Sequence, residues 1–113
     1  MHYTTLIAPF ALASALLASP LTALAQADKG KALYVENGCW QCHGFVGQGG
    51  ITGPKLAPDP KPVEFYDVFI RHTKGPMPRY SEKLLSKQDL AAIHSYLLTI
   101  PKPANLKDIP LLN

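Results

Sequence analysis

Residues 44–62, GFVGQGGITGPKLAPDPKP, cannot settle into a regular element. Its glycines leave the backbone loose, and its prolines fix φ and remove N–H donors. A second broken run, TKGPMPRY over 73–80, follows after one short helical segment. Long loops without structure of their own are uncommon in a compact domain unless something fills their inner side. Little chain is available to do so. The sequence has 113 residues, and residues 1–25 contain no Asp, Glu, Lys or Arg and read as a segment apart. The remaining residues 26–113 are one domain at most. That size excludes a multidomain enzyme, a TIM barrel, a dinucleotide-binding domain and a polytopic membrane protein. A domain so small buries only about 60–65% of its unfolded surface. It needs a staple: disulfides, a metal or a large buried cofactor.

The leading segment reads as an export signal. The apolar stretch LIAPFALASALLA over 6–18 is followed by Ala23-Leu24-Ala25, small residues at the two positions an A-x-A cleavage site requires. The expectation is a signal peptide over 1–25, cleaved to leave Gln26 first, and a periplasmic domain over 26–113. The start, MHYTT, carries no Lys or Arg, which departs from the usual basic n-region. The alternative is an uncleaved membrane anchor, which Pro9 and Pro20 make a poor helix. With the signal removed, no stable membrane span is expected. Charge adds one exclusion. Eleven Lys and Arg against eight Asp and Glu give a net +3, with no basic cluster of the kind that binds nucleic acid.

The mature chain reads as helices joined by loops. Residues 28–37 suit a helix with Asp28 as N-cap and Gly38 as stop. Residues 63–72 follow Pro62 with Tyr66, Phe69 and Ile70 on one face. In the last helix Ser86 and Asp89 approximate a capping box, Leu90, Ile93, Leu97 and Ile100 recur at helical spacing, and Pro101 ends it. No stretch alternates with period two. The fold class is all-α, with three to four helices.

Cys39-Trp40-Gln41-Cys42-His43 is C-x-x-C-H, the attachment sequence of c-type haem. Thiols three positions apart lie about one helical turn apart. They can add to the two vinyl groups of one porphyrin, and the adjoining His43 can then turn to the iron. Rival readings are a disulfide, a dithiol oxidoreductase, which wants a βαβ pattern that is missing, and a zinc site completed by His72 or His94 without paired spacing. Met77, set between Pro76 and Pro78, is the sole methionine after residue 1 and the candidate second axial ligand. His72 and His94 are the alternatives.

These motifs resemble the class I c-type cytochromes over essentially all of residues 26–113. The resemblance places Gly30 and Tyr34 of the first helix against the last helix. In Gly53-Pro54-Lys55-Leu56 it makes the Pro54 carbonyl the group that orients His43. Met77-Pro78-Arg79-Tyr80 matches the family's Met-Pro-x-aromatic segment, with Tyr80 beside the haem, and Leu97 of the last helix is expected near it as well. It implies one covalent haem c wrapped by helices and loops, with Cys39 and Cys42 as thioethers and His43 and Met77 as iron ligands. The implied function is one-electron transfer without catalysis, between partners such as a donor dehydrogenase and an acceptor oxidase or cytochrome. The competing functions are a haem enzyme or gas sensor with a labile sixth ligand, and a C-x-x-C thiol redox protein. Lys55, Arg71, Lys74 and Arg79 adjoin the haem loops in sequence and are expected to rim an apolar docking patch.

Overall fold

A computed structural model describes residues 20–112, so the apolar stretch 6–18 lies outside the described residues. Four α-helices follow in order: α1 (Pro20–Glu36), α2 (Trp40–His43), α3 (Val63–His72) and α4 (Lys87–Leu98), with single 3-10 turns at Leu106–Asp108 and Pro110–Leu112. No strand occurs among the described residues. The all-α expectation is met.

The boundaries of α3 and α4 agree with the sequence pattern, but α1 starts eight positions before the expected Asp28. Pro20 is tolerated at a first helical position because its missing N–H would have no partner there. Leu21 to Ala27 then contain no residue that opposes helix. The boundary after Ala25 therefore falls inside α1. At its other end Asn37 N–H and Gly38 N–H bond back to Leu33 O and Val35 O.

The helix pair α1–α4 is the frame. Gly30 makes it possible: a Cβ there would fall on the backbone carbonyl of Ala92, so only glycine lets the two backbones come this close. Tyr34, fully buried, packs its ring 5.6 Å from that of Tyr96. Across the pair, Lys29 Nζ of α1 reaches Asp89 Oδ1 in the first turn of α4 at 2.7 Å. Ser86 caps α4 by accepting from Asp89 N–H at 3.1 Å, and its hydroxyl donates to Asp89 Oδ2 at 2.8 Å. These contacts hold the Asp89 carboxyl below the usual carboxylate range, Lys29 contributing most. The lowered value means their contribution is present at neutral pH and is lost only as pH falls through it.

Two tyrosine hydroxyls then pin the glycine-rich loop to this frame. Tyr34 donates to Gly44 O at 2.8 Å and Tyr96 to Phe45 O at 3.0 Å. A buried phenol needs such a partner, and a loop carbonyl without one would carry a desolvation cost of about 1–3 kcal/mol. The buried set Tyr34, Ala57, Ile70, Leu85, Leu90, Ile93, Tyr96 and Leu97 is small, and the loops arch away from it around an open space.

Candidate functional site

The open space is a cavity of about 1180 Å³ bounded by α3, the α4 face of Leu90, Ile93 and Leu97, and the loops 51–61 and 72–80. Its volume exceeds the roughly 300–1,000 Å³ of ordinary small-ligand pockets. Cys39, Cys42, His43, Pro54, Met77, Tyr80 and Leu97 all line it. Residues far apart in the chain and singled out by motif thus meet at one place.

The C-x-x-C-H segment owes its shape to α2. His43 N–H bonds Cys39 O at 3.0 Å, and Gly44 N–H bonds Trp40 O at 2.9 Å, which closes one helical turn. Cys39 is half-buried and Cys42 exposed, and no disulfide joins them. Burial pushes the Cys39 thiol up to about 11. A disulfide oxidoreductase activates its attacking cysteine in the other direction, toward thiolate. Among the described residues no three His, Cys, Asp or Glu side chains converge as a metal cage.

His43 is 6% exposed, and its Nδ1 lies 2.7 Å from Pro54 O. A carbonyl only accepts, so Nδ1 carries the proton, and in the neutral imidazole it is the other ring nitrogen that offers a lone pair. Gly53 sets up this contact. A Cβ at Gly53 would stand 2.7 Å from Cys42 O and 3.0 Å from His43 Nδ1, so any side chain there would push Pro54 away. The returning loop is also held by Gly49 N–H on His43 O at 2.7 Å.

Met77 is partly buried and packs against the core from the loop between α3 and α4. His72 and His94 line the same cavity, so neither is separated from it by position. His94 is engaged elsewhere, its Nε2 2.9 Å from Lys61 O. Tyr80 is tied by its hydroxyl to Asn37 O at 2.8 Å, and burial raises its pKa, with the two cysteines adding to the rise.

The apolar lining tests what the cavity suits. Ile51, Phe65, Val68 and Phe69 are all among the exposed large hydrophobics, and all four line this cavity. Phe65 and Phe69 stack at 6.1 Å along α3. An open apolar lining of this extent marks a binding site. Two thiols at its edge, an imidazole with a free nitrogen and a thioether within reach are the donor set that a covalently held haem uses. The residues fit the group.

One expectation about the surroundings is corrected. Arg71 does not rim the surface: its side chain is only 12% exposed and is bound to Asp67 and to Tyr80 O. Lys55, Lys74 and Arg79 are exposed as expected. Sequence reasoning also missed α3 as a cavity wall. Val68 and Phe69 carried a signal for it, since α3 is apolar over a wider arc than one core-facing stripe explains.

The family model described as cytochrome c oxidase, cbb3-type, subunit III matches residues 25–97. No curated protein and no solved structure matches the chain. The match spans more than half of the sequence and takes in the haem motif, the cavity, most of α1 and all but the last residue of α4. The chain belongs to that family: it is a c-type cytochrome domain of cytochrome c fold, built for one covalently bound haem c.

Proposed function

We propose that this domain is a one-electron carrier of the periplasm. In this reading Cys39 and Cys42 would hold the haem by two thioethers, and His43 and Met77 would be the ligands of its iron. Residues 1–25 act as a cleaved export signal. The observation that carries the reading is the His43 Nδ1–Pro54 O contact of 2.7 Å, inside a cavity that Met77 also lines. It fixes the imidazole tautomer and raises ligand basicity. The haem supplies a reversible couple between ferrous and ferric iron. The chain does the rest. Pro54 orients His43, and Leu97, Ile93 and Tyr80 give the site apolar walls that keep water out. The loop over 73–80 presents a neutral thioether, which favours the ferrous state and raises the potential. With His43 and Met77 both committed to the iron, the site would have no position left for a substrate.

Partners are proteins that give and take single electrons. An oxidase or another cytochrome is the kind of acceptor proposed and a periplasmic dehydrogenase the kind of donor; the family description names an oxidase subunit. Among the described residues no helix is long and apolar enough to cross a membrane.

The experiment is a spectroelectrochemical titration of the holoprotein, followed by exposure of its ferrous form to carbon monoxide. A carrier should give one reversible transition with a tenfold change of ratio per about 59 mV. It should leave carbon monoxide unbound. Rapid stoichiometric binding would favour the sensor or enzyme reading instead.

A further inference from the structure

Arg71 stands in the last turn of α3 with its side chain turned away from water. Its Nε donates to Asp67 Oδ1 at 3.2 Å, one turn earlier. Its Nη2 stands 3.0 Å from the same oxygen, off the hydrogen-bonding direction, so that contact is charge attraction alone. Its Nη1 donates to Tyr80 O at 2.6 Å. Meanwhile Tyr80 N–H donates to Ile70 O at 3.0 Å. Both backbone polar groups of Tyr80 are therefore held by the last turn of α3.

This closes a loop on itself. The segment 73–80 leaves α3 at Thr73 and is brought back to its root at Tyr80. Arg79 Nε donating to Thr73 O at 2.7 Å ties it a second time. Met77 lies inside the closed segment. Arg71 does not line the cavity, so whatever it does for the haem it does through this loop.

We propose that Arg71 is a positioning residue that holds the Met77 loop shut over the cavity, with Asp67 orienting its guanidinium. The proposal rests on Met77 being an axial ligand. A charge-assisted bond from a mostly buried guanidinium is among the stronger single hydrogen bonds in a protein. Losing it raises the fraction of molecules whose loop is open. An added ligand that needs the open form gains affinity in proportion to that fraction.

The test titrates ferric holoprotein with imidazole and follows the weak long-wavelength absorption of iron bound to methionine sulfur. Arg71→Gln is expected to bind imidazole about tenfold more tightly, the equivalent of one charge-assisted bond. Arg71→Lys should recover part of the difference, since an ammonium restores the charge beside Asp67 but not the fork. Ser86→Ala serves as the stability control. It removes the α4 cap, outside the cavity and the loop, and should leave imidazole affinity at the wild-type value. Met77→Ala separates the two claims. If it keeps the long-wavelength band, Met77 is no ligand and the positioning role falls with it. If it loses the band while Arg71→Gln keeps both the band and the wild-type affinity, the ligand reading stands and the role of Arg71 is overturned. Should Arg71→Gln yield no holoprotein, Asp67→Asn takes its place. It keeps the guanidinium, weakens its orientation, and is expected to tighten imidazole binding about threefold. Unchanged affinity in that variant also overturns the proposal.

Discussion

Met77→Ala is expected to leave the haem attached and strip one axial position of its protein ligand. The proposed attachment residues Cys39, Cys42 and His43 lie on α2 and at its N-cap, outside the 73–80 segment. The variant should lose the long-wavelength band of the ferric form and bind carbon monoxide in the ferrous form. Its potential should fall by roughly 0.2 V, a fraction of the about 0.8 V that axial ligands command. The sign follows from the neutral thioether, whose loss removes the preference for ferrous iron. A wild-type ferric form without the long-wavelength band, and a potential that Met77→Ala leaves unchanged, would move the assignment to His72 or His94, which line the same cavity.

The second large effect belongs to the frame. In Gly30→Ala the new methyl would overlap the Ala92 carbonyl, and a backbone group cannot swing aside as a side chain does. α1 and α4 must separate, which disturbs the Tyr34–Tyr96 packing and the loop bonds those hydroxyls make. The cost should reach the upper part of the overpacking range, about 3 kcal/mol. For a domain of this size that is a fall of about 15 °C in Tm. Gly50→Ala is the matched control. Its Cβ would meet nothing nearer than Cys42 O at 3.6 Å, an ordinary contact. Its stability should stay within about 0.5 kcal/mol of wild type. Equal losses in the two variants would mean that the close approach at Gly30 is not what limits the frame.

What the sequence disclosed was local or tied to chemistry. The C-x-x-C-H run, the Ser86 cap and the period of α4 are each written within a few neighbouring residues, so reading them needs no tertiary knowledge. Pro54 became legible through resemblance, because nothing in its own spacing says that its carbonyl will meet His43, whereas Met77 stood out by itself as the sole methionine after residue 1, set between two prolines. The long-range ties were not legible. Tyr80 reaches Asn37 O and Tyr96 reaches Phe45 O, and in both cases the acceptor is a backbone carbonyl, which every residue type carries. No residue code marks such a partner. Arg71 was misplaced for a related reason. An Arg near the end of an amphipathic helix usually lies in solvent, and only the returning loop turns it into an interior group. The start of α1 was missed because residues 20–25 have the composition of a leader and of a good helix alike.

The central claim is that the haem is held by Cys39 and Cys42, and peptide mapping of the holoprotein tests it most directly. Trypsin cutting after Lys31 and Lys55 releases one fragment that contains the whole C-x-x-C-H segment. After acidified-acetone treatment and thiol alkylation, that fragment should retain the mass of one haem and take up no alkylating reagent at either cysteine. Haem recovered free in the organic phase, with Cys39 and Cys42 both alkylated, would contradict the account.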